Sequence, residues 1–253
     1  MNSNYLQVKY SGMAAIALTM LAAVMIFAAF AIPAQAQTET LLHQSTGSPD
    51  GASPSAGPVL KGTTLYGTTY EGGNGTGDTG YGILYEITAA GQYSILYNFT
   101  GGTDGGTPRS ALLYKGGKLY GTTQSGGAGC TWGCGVIFEY TLAKGKKAGK
   151  ETVLHTFDGT DGLYPLYGAL VFDKLGNIYG TTSDGGPTNQ GNVYMLATDG
   201  TLTTLYDFDD EPDGSTPFGG VALDAKGNIY TTGAYGGNYG GEYGGGTVIK
   251  ITP

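Results

Sequence analysis

The chain has 253 residues, with 48 glycines, 20 tyrosines, 13% charged residues and a formal net charge of −8. An acidic chain without a basic patch repels phosphate backbones, which excludes nucleic acid as a partner. Glycine at this level can signal disorder, but here the glycines recur at fixed places between β-rich segments and read as ordered turns.

In chain order, residues 1–13 are polar with Lys9 as their one charge, residues 14–32 are an apolar run, and Pro33 precedes the small-x-small site Ala34-Gln35-Ala36. That order reads as a secretory signal peptide over 1–36. It leaves 37–253 as a single mature domain, more acidic still and without a membrane span. The run is nearly long enough to cross a bilayer, so an uncleaved N-terminal membrane anchor is the alternative.

After residue 36 no segment sustains helical periodicity. Two patterns keep one beat instead. Asp-Gly-x-x-Pro stands at 50–54, 104–108, 161–165 and 213–217, its aspartates 54, 57 and 52 residues apart. Leu/Ile-Tyr-Gly-Thr-Thr stands at 65–69, 119–123 and 178–182, with the variant Ile-Tyr-Thr-Thr-Gly at 229–233. Periods of this size mean a repeat architecture.

Each repeat holds four strand-like segments. The third shows them at 168–173, 177–182, 191–198 and 201–208, the last two joined through Asp199-Gly200, a strong hairpin signal. Its third strand has counterparts at 82–88, 135–141 and 246–252. Four short antiparallel strands per repeat suit a β-propeller blade. The expected fold is therefore all-β, a propeller of four blades with strands A to D running outward from the axis. Gly67, Gly121 and Gly180 lie inside strand B, which marks a close approach of another backbone or a bulge. A spare D-like strand at 40–43 could pair with 246–252 and close the ring without an open edge. An open arc, or a ring completed by a second subunit, is the alternative.

Residues 220–230, Gly-Val-Ala-Leu-Asp-Ala-Lys-Gly-Asn-Ile-Tyr, resemble the A–B hairpin of NHL-type bacterial propeller repeats. The fuller order is Leu-Tyr-Gly-Thr-Thr, Gly-Gly, a Gly-Val-Ile-Phe-type strand, Leu-Tyr-x-Phe and Asp-Gly-x-x-Pro. It is similar to the tandem repeat of the GloVer-containing "choice-of-anchor" exported bacterial proteins, over essentially all of 40–253. The resemblance implies export and a repeat fold. That family brings no established activity, so no catalytic residue is implied. Its members often carry a C-terminal anchoring segment; none precedes Pro253, and the expectation is a protein secreted to the extracellular space or the periplasm.

Cys130 and Cys134, spaced C-x₃-C, read as a local disulfide in an exported chain. A metal site would need two more ligands, and no His or Cys lies nearby in sequence to supply them. Asp50, Asp104, Asp161 and Asp213 of the repeated motif read as turn caps, with Gly supplying positive φ and Pro fixing the entry to strand A. Four such carboxylates near one face could instead surround a cation, calcium being the candidate. The densest acidic stretch, residues 207–213, lacks the ligand spacing of an EF-hand loop. No metal or cofactor is assigned. His43 and His155 share a strand D position with Tyr97 and Tyr206 and read as packing or edge residues.

No nucleophile–base set, Gly-x-Ser-x-Gly elbow or phosphate loop is present in the sequence. The loops between strands B and C, at 70–81, 124–134, 183–190 and 234–245, share one face with the Asp-Gly-x-x-Pro connections. They carry Tyr70, Tyr81, Trp132, Tyr235, Tyr239 and Tyr243, whose rings can stack on sugars or grip a protein. The expected function is an extracellular, non-catalytic binding module for a glycan or for an envelope or extracellular protein. A secreted glycosidase or lyase is the alternative, using loop carboxylates such as Glu71, Asp184 or Glu242.

Overall fold

The computed structural model describes residues 38–74, 80–131, 133–238 and 244–253. Residues 42–253 form one compact unit. Its regular structure is all β among the described residues. Blade 1 holds β1 (Val59–Lys61), β2 (Thr64–Thr69), β3 (Ile83–Ile87) and β4 (Tyr93–Asn98). Blade 2 holds β5 (Leu113–Lys115), β6 (Lys118–Thr123), β7 (Val136–Thr141) and β8 (Lys150–Thr156). Blade 3 holds β9 (Val171–Phe172), β10 (Ile178–Thr182), β11 (Asn192–Leu196) and β12 (Leu202–Asp207). Blade 4 holds β13 (Ala222–Leu223), β14 (Ile229–Gly233) and β15 (Thr247–Ile251). Each sheet is an antiparallel meander in chain order, four-stranded in blades 1 to 3 and three-stranded in blade 4. The fourth strand expected for blade 4 from residues 40–43 is not in that sheet.

Local chemistry fixes the A–B turns. In blade 3 the Asp173 carboxylate accepts N–H groups of Leu175, Gly176 and Asn177 at 2.8, 2.7 and 2.9 Å, and the Asn177 amide at 2.8 Å. Asp224 repeats this in blade 4 with Lys226 and Asn228. There the Asn228 amide, then the backbone N–H groups, hold the carboxyl down to about 2. Bonds to the charged form have that effect.

The strand B glycines have a different reason from the one their sequence suggests. Gly67, Gly121 and Gly180 stand opposite Tyr85, Phe138 and Tyr194 on strand C. A Cβ on Gly180 would meet the Tyr194 hydroxyl at 2.3 Å and Leu170 at 3.0 Å. The close approach is thus a ring lying over the glycine. The irregularity expected in strand B falls one strand further out, as a register shift between strands C and D in blades 1, 2 and 3. In blade 4, Thr231 stands opposite Ile249, so a small residue under a ring becomes Thr beside Ile.

Cohesion lies between blades. Tyr66 and Leu84 of blade 1 share a buried cluster with Leu112, Leu119 and Phe138 of blade 2. Ile137 of blade 2 packs with Leu170, Ile178 and Tyr194 of blade 3. Val193 of blade 3 packs with Val221 and Ile229 of blade 4. Each buried aliphatic or aromatic side chain contributes roughly 1.5–3 kcal/mol relative to exposure.

Two predictions follow from these contacts. Gly180→Thr should lower stability by about 2 kcal/mol through overpacking, and adding Tyr194→Ile should recover most of the loss, because the pair then matches blade 4. Urea unfolding midpoints read both; an additive double variant would refute the ring-over-glycine account. The second concerns Glu151 on β8, one of whose oxygens is buried without a hydrogen-bond partner among the described residues. Burial, then the charge of Asp104, push this carboxyl from 4.5 up to about 7. The folded chain therefore holds the proton more tightly than the unfolded one, and stability falls as pH climbs from about 4.5 to about 7. Glu151→Gln should flatten that part of the stability–pH curve and stabilise the chain by about 1 kcal/mol at pH 8, solvent screening having reduced the full linkage. An unchanged slope would count against it.

Candidate functional site

The Asp-Gly-x-x-Pro segments bind two blades at once. The third residue of each joins the B–C loop that follows it. Ala52 N–H donates to Glu71 at 2.8 Å, Gly106 to Ser125 at 2.8 Å, Leu163 to Asp184 at 2.8 Å and Ser215 to Tyr235 at 3.0 Å. The fourth residue reaches back to the preceding blade in three of them. Thr107 N–H donates to Tyr81 at 2.7 Å, Tyr164 to Cys134 at 3.0 Å and Thr216 to Gln190 at 2.8 Å. This places the D–A connections and the B–C loops on one face. The fourth residue, Ser53, Thr107, Tyr164 or Thr216, has φ between 52° and 56° although none is glycine. A non-glycine residue held there costs about 1–2 kcal/mol, and its recurrence at all four sites shows that the surrounding bonds enforce it.

The motif aspartates turn toward strand D and their own turns. Asp50 accepts His43 Nε2 and the Thr46 N–H, both at 3.1 Å. Asp104 accepts the Tyr97 hydroxyl and the Thr100 N–H at 2.9 Å each. Asp161 accepts His155 Nε2 at 2.7 Å and the Asp158 N–H at 2.9 Å. Asp213 accepts the Tyr206 hydroxyl. His and Tyr alternate on strand D because each carries a ring-borne donor of similar reach. They do more than the packing role their alternation suggests. Among the described residues no three His, Cys, Asp or Glu side chains converge into a group that could hold a metal.

The same face carries a row of rings around one cation. Arg109, the one arginine in the chain, follows Pro108. Its guanidinium carbon lies 3.9 Å from the Tyr70 ring centroid and 5.6 Å from that of Tyr167. Its Nη1 donates to the Tyr167 hydroxyl at 2.5 Å. Beyond Tyr167, Phe218 stands edge-on at 5.8 Å, and Tyr235 edge-on to Phe218 at 6.2 Å. The row crosses from blade 1 to blade 4, and Tyr167 and Tyr235 are exposed. Burial opposes the charge on Arg109, but hydrogen bonds with Tyr70 and Tyr167 outweigh it and raise its pKa.

Of the rings picked out by sequence, Tyr70 and Tyr235 belong to this row. Tyr81 does not: its ring lies against the backbone of Gly101 and Gly106 and covers the D–A connection that leads into blade 2. Trp132, Tyr239, Tyr243 and Glu242 lie outside the described residues. Arg109, Tyr167 and Phe218 escape a reading confined to the B–C loops. For Arg109 and Phe218 the signal is the position just after the repeated proline, where Ser55, Arg109, Leu166 and Phe218 differ while the motif stays constant; Tyr167 stands one residue further on. Asp184 accepts the Ser183 hydroxyl at 2.5 Å and Glu71 accepts that of Ser53 at 3.4 Å. Cys130 and Cys134 have Cα atoms 5.5 Å apart, a separation that suits a disulfide.

No curated protein matches this chain. Among solved structures, a luciferin-regenerating enzyme is 16% identical with a TM-score of 0.47, over 76% of this chain and 58% of that one. Virginiamycin B lyase from Staphylococcus aureus is also 16% identical, with a TM-score of 0.44, over 86% of this chain and 59% of that one. The chain thus spans less than two thirds of the length of either. The family model described as the Gloeobacter/Verrucomicrobia repeat matches residues 27–249. The chain belongs to the Gloeobacter/Verrucomicrobia repeat family.

Proposed function

We propose that this protein is an exported, non-catalytic binding module that takes a glycan along the Tyr70–Arg109–Tyr167–Phe218–Tyr235 row. The observation that carries the reading is the row itself: four rings and one guanidinium, in unbroken contact across four blades. Aromatic faces stack on the apolar faces of sugars. The guanidinium fork offers paired N–H donors to hydroxyls or to an isolated carboxylate. Rings held by one another lose little freedom on binding, which favours affinity.

Export rests on the N-terminal pattern over 1–36, with 37–253 as the mature domain and a Cys130–Cys134 disulfide bracing one B–C loop. Among the described residues no helix is long and apolar enough to cross a membrane.

A glycan-array screen with and without calcium, followed by product analysis of each hit, tests the reading. Saturable binding of intact glycan is expected. Tyr167→Ala and Tyr235→Ala should each weaken it about tenfold, roughly 1.4 kcal/mol, without loss of fold because both rings are exposed. Arg109→Lys should weaken acidic glycans more than neutral ones. Cleaved product would replace this reading with a carbohydrate-active enzyme. Absence of any glycan ligand would leave an envelope or extracellular protein as the partner.

A further inference from the structure

The two ends of the row of blades expose the two halves of one blade–blade interface. On strand C, Leu84, Ile137 and Val193 point from blades 1, 2 and 3 toward the following blade, and all are 0% exposed. Their counterpart in blade 4, Val248, is 82% exposed. With Ala222, Tyr230 and Thr232 it lines a largely apolar hollow of about 450 Å³ that reaches inward to Ala169 and Val171 of blade 3. Among the described residues the outer edge of β15 also has no strand paired to it. At the other end, blade 1 shows the opposite deficit. Leu119, Ile178 and Ile229, which face the preceding blade, are buried, whereas their counterpart Leu65 is half-buried. Leu112, Leu170 and Val221 are likewise buried, whereas their counterpart Pro58 is exposed; two positions on, Tyr114, Phe172 and Leu223 are half-buried, whereas Leu60 is 62% exposed.

We propose that the trailing face of blade 4 takes the leading face of blade 1 of a second copy of this chain, head to tail. The identity of the occupant follows from an interface that the chain already builds three times, between blades 1 and 2, 2 and 3, and 3 and 4. The leading end brings more than apolar surface. His43 bonds to Asp50 and stacks on Tyr93 with ring centroids 3.7 Å apart. It thereby occupies the place that Tyr97, His155 and Tyr206 hold at the end of strand D. Those three stand opposite Leu84, Ile137 and Val193, so His43 of one copy falls opposite Val248 of the other. The contact uses different patches on the two copies, and such contacts close into rings or continue as filaments. Two chains give the smallest closed product, with eight blades, within the range of known propellers.

Sedimentation velocity of the mature chain, residues 37–253, over micromolar concentrations tests the proposal. The wild type should self-associate, and Val248→Asp should return it to a monomer with unchanged circular dichroism, since that side chain is already exposed. A second variant, Leu60→Cys with Tyr230→Cys, copies the positions of Phe172 and Tyr120, whose rings meet at 4.9 Å between blades 2 and 3. Mild oxidation should join its chains end to end on a non-reducing gel. A wild type that stays monomeric, or association indifferent to Val248→Asp, would overturn the proposal. So would a bond formed only within single chains, which would assign the two faces to closure of one ring.

Discussion

The architecture depends on a backbone joint. Each Asp-Gly-x-x-Pro segment donates forward to one B–C loop, and three of the four also donate back to the preceding one. Side chains could not do this as economically, because the joint must turn the chain from an outer strand to the inner strand of the next blade. The left-handed residue before each proline is the cost of that turn. The aspartate lowers it by accepting N–H and ring donors that would otherwise be left without partners.

The same constraint explains the abundance of glycine. At the joint of blade 2, a Cβ on Gly126 would lie 2.5 Å from the Cα of Gly105. The B–C loop and the motif therefore touch backbone to backbone. Inside the blades the logic differs, since Gly180 makes room for the buried Tyr194. One residue type thus serves two unlike purposes, and only the second can be exchanged for Thr when the facing ring becomes Ile, as at Thr231 and Ile249.

Much of this was legible in the sequence, for a physical reason. Blades are local meanders, so periodicity, Asp-Gly turns and alternating apolar residues specify each one without reference to distant contacts. The strands at 177–182 and 201–208 and the shared face of loops and motifs come from such local signals. What the sequence hid was non-local. The partner of Gly180 is a side chain 14 positions away, and the tie between His155 and Asp161 needs the geometry of two strands and a turn. The candidate site was half visible for the same reason. Tyr70 and Tyr235 stand in conspicuous loops, whereas Arg109, Tyr167 and Phe218 come from the D–A connections ahead of strand A in three different blades and meet only once those blades are stacked.

Arg109 has a kinetic consequence. It is a single guanidinium within a chain of net charge −8, so an anionic ligand is repelled at a distance and attracted only on contact. Arrival at such a site is slower than for a ligand drawn in by an opposite field, and added salt speeds it. The same salt weakens the hold once the ligand has reached the guanidinium. On the proposed function, selection between ligands at this face would therefore fall mainly on how long they stay.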